Sequence, residues 1–343
     1  MHAAMQYSTK VKRKWNFFLQ MVIIVLTYVF IYKEAIQKDG FTGLIQVLMD
    51  RIHGYDFLLG LILVFFLMFL NWFLETIKWR FLIRKIEKVS LVRSFEAVLT
   101  GVSISSFTPN RVGEFFGRVF ILKSSNPVEG ILITVIGSMS QLLITLLSGS
   151  VALIIFVHQY FSDLILFHGY LYYAFIAVII VFDLIILGLF FNVSFLSAIK
   201  ERIIRNGFQK IRSYFRVFDF YHYHDLIIVF CLSLFRYIVF SFQYFLLLRL
   251  FRVPVPLGET LLLTSMIYFV MAIIPTIALS ELGIRGSVAL YMFGLYFTLH
   301  GLSAMDFNQG ILAASTLLWV VNLGIPAILG SIFVFRLQFF RKP

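Results

Sequence analysis

Arg111, Glu114 and Arg118 recur at i, i+3 and i+7 within an otherwise hydrophobic stretch, SISSFTPNRVGEFFGRVFIL, residues 103–122. On a helix that spacing puts two guanidiniums and a carboxylate on one face. Arginine matches phosphate oxygens with two parallel hydrogen bonds, so a phospholipid headgroup is the chemistry this stripe suggests. The structural alternative is an intrahelical ion pair, Glu114 with Arg118, snorkelling to an interface. Asn110 joins the candidate site from the turn beside Pro109. Pro109 lacks an N–H and forces Thr108 out of the helical region, so one helix is expected to stop near Phe107 and another to start near Pro109. The free N–H groups at that start would favour an anion. A second pair, Glu281 and Arg285 at i, i+4, either shares the substrate site or pairs for stability.

The elements that must hold these residues are membrane helices. Hydrophobic residues make up 60% of the 343 and charged residues 13%, with 41 Phe, more apolar surface than a soluble domain can cover. The reading is all-α: one polytopic transmembrane domain, 1–343, of about six full spans plus two broken or re-entrant helical hairpins. The net charge of +12 could suggest nucleic acid, but the basic residues cluster at the ends of apolar runs, as the positive-inside rule requires. No nucleic-acid partner is expected, and membrane lipids are. Cys231 is the single cysteine, which excludes an internal disulfide or thiolate cluster. His222, His224 and Asp225 look like metal ligands only superficially, because i, i+2 residues do not share a helix face. Neither metal nor cofactor is expected.

Spans are read at 15–32, 57–74, 129–157, 171–191, 225–248 and 310–335, with hairpins at 94–123 and 258–298. The first run is taken as a retained span, since no small-residue cleavage site follows it. Asn126, Pro127 and Glu129 supply a start for the third span. Residues 33–56 hold a candidate interfacial helix, 158–170 an outer loop, and 192–224 a basic amphipathic stretch. Trp72 and Trp79 suit the interface, and Lys78 is counted with the loop charges after the second span. Most of the 29 Lys and Arg fall before span one, after span two, between spans four and five, and in the tail. That bias places both termini in the cytoplasm. Asp183 and Arg236, single charges inside spans, are expected to pair as a structural tie or to line a path.

The two hairpins resemble each other. Leu91 lies 18 residues before Pro109, and Leu257 lies 18 before Pro275; Val112-Gly113 follows one proline and Leu282-Gly283 the other. The first is entered from the cytoplasm and the second from outside. This is an inverted repeat, halves 57–191 and 225–336, of the kind that alternating-access transporters use.

At these residues the chain resembles the transmembrane domain of lysylphosphatidylglycerol synthases and its stand-alone relatives. The match runs from Trp79-Arg80 through PNRVGE (Pro109 to Glu114) and Arg118 to Pro275 and Leu282-Gly283-Ile284-Arg285. Two departures stand out: Gly286 where an acid is usual, and Gly137-Ser138-Met139 where Glu-Arg is common. The resemblance implies a polytopic fold in the bacterial cytoplasmic (inner) membrane. It also implies a flippase-like activity moving an anionic or aminoacylated lipid between leaflets. The lysyl-transferring domain is absent, so an enzyme is not expected. A membrane enzyme using Glu114 or Glu281 as base, and a non-transporting scaffold, are the other classes. Assembly as a homo-oligomer stays open.

Overall fold

Local chemistry starts the helices where the sequence places capping residues. Asn126 accepts from the Val128 N–H at 3.0 Å, with Pro127 in the first turn. Ser90 accepts from the Arg93 N–H and opens the first hairpin. The computed structural model describes residues 2–35, 45, 48–49, 54–108, 111–123, 125–161, 169–192, 214, 216–274 and 278–337. The α-helices are α1 (His2–Ala35), α2 (Tyr55–Ile83), α3 (Leu91–Ser105), α4 (Gly113–Val119), α5 (Pro127–Tyr160) and α6 (Tyr170–Phe191). They continue as α7 (Tyr223–Leu250), α8 (Leu257–Ile273), α9 (Ala278–Leu299), α10 (Asn308–Trp319) and α11 (Ile325–Phe333). Among the described residues there is no strand.

Helices α2 and α7 form the central pair. Their contacts run in opposite chain directions: Tyr221 just before α7 donates to Leu82 O at 2.8 Å, Arg236 meets Glu75, and Gln243 donates to Val64 O at 2.8 Å. The pair is therefore antiparallel. The hairpin α3–α4 follows the end of α2, and the hairpin α8–α9 follows the end of α7. The two hairpins consequently enter from opposite ends of the bundle.

Each hairpin packs against a helix remote from it in sequence. Helix α3 lies on α11, where Ser103 Oγ donates to Ala327 O at 2.5 Å, and α8 lies on α5. Glycine permits both contacts: a Cβ on Gly330 would strike the Leu99 carbonyl, and one on Gly149 would strike Phe269. Within the first hairpin, a Cβ on Gly117 would come to 2.6 Å from the Cα of Gly101. Close backbone approach through small residues is how helices pack where lipid supplies no hydrophobic drive.

One end of the bundle gathers Arg84, Lys85, Arg93 and Arg336. There Lys85 pairs with Asp225 at 2.9 Å, and Glu87 accepts from the Lys123 and Ser125 N–H groups. Arg336 pairs with Glu96 near the start of α3, and Gln20 of α1 donates to Leu337 O at 3.1 Å. At the opposite end Gln159 donates to Glu259 at 2.9 Å, and the Phe297 and Phe307 rings stack at 4.4 Å.

Several expectations change. Helix α2 continues well past residue 74, to Ile83. Trp72 and Trp79 are buried rather than interfacial, with Trp79 Nε1 donating to Thr134. Among the described residues, six helical segments are long and apolar enough to cross a membrane. Five coincide with expected spans, and the sixth is Glu281–Leu299 of the second hairpin. The expected span 15–32 lies in α1, but its apolar stretch, Lys14–Val29, is shorter. Pro109, Asn110, Pro275, Arg341 and Lys342 lie outside the described residues, as do most of 33–56, the 158–170 loop and the 192–215 stretch.

Candidate functional site

The first hairpin turns at Thr108–Gly113. The new helix begins at Gly113, not near Pro109, with Val112 at its cap. Thr108 accepts from the Gly113 N–H at 2.9 Å through its hydroxyl. Arg111 sits in the left-handed region, φ 57°, a conformation that costs a non-glycine residue about 1–2 kcal/mol. Such strain persists where surrounding contacts impose it. The expected three-residue stripe therefore divides. Glu114 and Arg118 do share α4 and pair with each other. Arg111 leaves that face and reaches the other hairpin, where its Nη2 meets Glu281 Oε1 at 2.8 Å. Glu281 also pairs with Arg285 at 2.6 Å. The tips of the two hairpins thus meet through a carboxylate held between two arginines.

Beside this junction lies a second group of charges that the sequence reading did not assemble. Glu75, buried in α2, accepts from Lys78, Arg118 and Arg236, each at 2.8 Å. Arg236 also donates to Asn71 at 2.8 Å and lies over the Trp72 ring at 5.2 Å. Asn71 donates to Asn322 at 3.1 Å, and Asn322 donates to Gln243 at 2.8 Å. Asn322 stands in a π-helical turn, Val320–Gly324, between α10 and α11. Such turns interrupt the regular ladder and re-aim a side chain.

The two groups line one cavity of about 780 Å³, bounded by α2, the tips of both hairpins, α5, α7 and the π-helical turn. Arg111, Glu114, Glu281 and Arg285 line it together with Glu75, Lys78 and Arg236. Arg118 is buried behind Glu75 and Glu114. Asn110 lies outside the described residues.

The expected Asp183–Arg236 tie is not formed. Asp183 accepts from Ser150 at 3.0 Å, while Arg236 is taken by Glu75. Lys78 is not a loop charge but 1% exposed inside the core. A signal for this group was available: Asn71, Glu75 and Lys78 follow at i, i+4 and i+7 and so share a helix face. Reading hydropathy alone ended the span just before Glu75. No cluster of His, Cys, Asp or Glu suited to a metal occurs among the described residues.

A bundle of apolar helices with a polar cavity at facing hairpin tips defines a multi-pass membrane protein. The chain belongs to the family described as the lysylphosphatidylglycerol synthase TM region, whose model matches residues 17–330. No curated protein and no solved structure matches the chain.

Proposed function

We propose that the protein is a flippase of the bacterial cytoplasmic membrane that moves a phosphate-bearing or aminoacylated lipid headgroup between leaflets through the cavity. The observation that carries this reading is the meeting of the two hairpin tips, Arg111 on Glu281, beside a cavity of about 780 Å³ lined by ion pairs. A charge at the centre of a membrane helix costs roughly 2.5–3.5 kcal/mol on insertion scales. A cluster of such charges is hard to explain as packing. Broken helices entering from opposite ends and meeting near the middle are the arrangement alternating access uses. In this reading 57–191 and 225–336 act as inverted halves, and the Arg111–Glu281 pair opens and closes between them. The basic end, with the ends of α1 and α11, faces the cytoplasm. Glu114 and Glu281, which an enzyme would need as a base, are both held by arginine, which favours transport.

The test is leaflet exchange of fluorescent phospholipids in liposomes holding the purified protein. Exchange should accelerate over protein-free liposomes. If no anionic, zwitterionic or aminoacylated lipid is moved, the flippase reading is wrong.

A further inference from the structure

We infer that the cavity selects a headgroup of net negative charge, a phosphate ester without a compensating ammonium, and discriminates against an aminoacylated one. This rests on the flippase reading for its lipid source, but the chemistry is set by the cavity itself. Five cations line or back it: Lys78, Arg111, Arg118, Arg236 and Arg285. Against them stand three carboxylates, Glu75, Glu114 and Glu281. Two positive charges remain uncompensated. Every one of the three carboxylates already bears an arginine: Glu75 holds Arg118 and Arg236, Glu114 holds Arg118, and Glu281 holds Arg111 and Arg285. An incoming ammonium would have to displace one of these.

The unsatisfied hydrogen-bonding groups on residues around the cavity lean the same way. Trp72 Nε1, Arg285 Nε and the Tyr268 hydroxyl are buried without a hydrogen-bond partner, and all three residues line the cavity. Arg118 Nε, behind the wall, is likewise unpaired. Two of these lining groups are donors only, and the tyrosine can donate. Buried donors without partners are costly, so a ligand rich in acceptor oxygens and poor in donors suits these residues once the wall shifts to open them. A phosphodiester or phosphomonoester fits. A lysyl or alanyl ester brings a cation and further donors into a cavity already in excess of both.

The closing experiment separates this selectivity from transport. Binding to the detergent-solubilised full chain is followed by thermal stabilisation with short-chain phosphatidylglycerol, short-chain lysyl-phosphatidylglycerol and inorganic phosphate. Phosphatidylglycerol should bind at least about tenfold more tightly than its lysyl ester, a modest value for two excess charges at low effective dielectric. In Arg285→Gln the preference should shrink severalfold. Should that variant misfold, competition of phosphatidylglycerol by phosphate on the unaltered protein gives the same information. Equal or tighter binding of the lysyl ester overturns the inference, whatever the exchange assay shows. Preferential binding of phosphatidylglycerol with no leaflet exchange sustains the inference and overturns the flippase reading. Phosphate binding as tight as that of phosphatidylglycerol sustains the anion site and points to a soluble ligand. No stabilisation by any of the three overturns it.

Discussion

At the scale of single residues the fold concentrates its charges around two carboxylates. Glu75 is 3% exposed and compensates three cations at once. Removing one partner of a buried ion pair leaves the others uncompensated, at a cost of about 3–5 kcal/mol. Glu75→Ala should therefore lower the thermal unfolding temperature of the solubilised protein sharply. Arg111 should behave differently, because its side chain is 43% exposed and its backbone already favours glycine. Arg111→Gly should fold, since relief of the left-handed strain offsets part of the lost pair, and should lose lipid exchange. Arg111→Lys should recover exchange only in part, because a point charge replaces a planar fork. Full exchange in Arg111→Gly would remove this residue from the site. The candidate stripe was legible from the identity of its residues. Its division was not, because the backbone turn at Arg111 depends on contacts with Glu281, 170 positions away.

At the scale of elements, glycine sets how closely the hairpins approach. A Cβ at Gly117 meets the backbone of Gly101, which cannot give way. Gly117→Val should cost about 1–3 kcal/mol or more through overpacking and should reduce the yield of folded protein. Gly188 in α6 is the contrast, since nothing lies within 4 Å of a Cβ there. Gly188→Ala should leave exchange unchanged and stabilise by about 0.5–1 kcal/mol through helix propensity. Equal losses in both variants would show that glycine acts through backbone freedom rather than contact. Helix existence was legible from hydropathy and capping: Asn126 and Pro127 start α5 as expected, and Ile274 before Pro275 leaves the helical region, φ −80°, ψ 115°. The length of α2 was not legible from hydropathy, because its last turns carry Glu75, Lys78 and Arg80. Those charges look like a loop until α7 and α4 are placed beside them.

At the scale of the whole molecule, antiparallel α2 and α7 put the hairpin entrances at opposite ends, and Arg84, Lys85, Arg93 and Arg336 gather at one of them. Topology follows from this and can be read with an impermeant thiol reagent in a Cys231→Ala background. In cells labelled from outside, Leu302→Cys should react and Lys88→Cys should not. Reaction at Lys88→Cys would reverse the orientation. The packing of the two hairpins on α11 and α5 was not legible from the matched Leu-to-Pro spacing, 91 to 109 and 257 to 275. The spacing alone could not show which helix each hairpin would lie against. That depends on Gly330 and Gly149, which no periodicity marks.

In the proposed flippase the hairpin tips must part for a lipid headgroup to pass. Cysteines at Val112, beside Arg111, and at Ile274, at the end of α8, leave every charged cavity residue in place. Both are introduced into the Cys231→Ala background and joined with a cleavable bifunctional thiol reagent. Leaflet exchange of a labelled phosphatidylglycerol in liposomes is then measured before joining, after joining and after cleavage. The predicted result is exchange that stops on joining and returns on cleavage. Rapid exchange that persists while the tips are joined would contradict it, and would mean that lipids cross along the outer surface of the bundle.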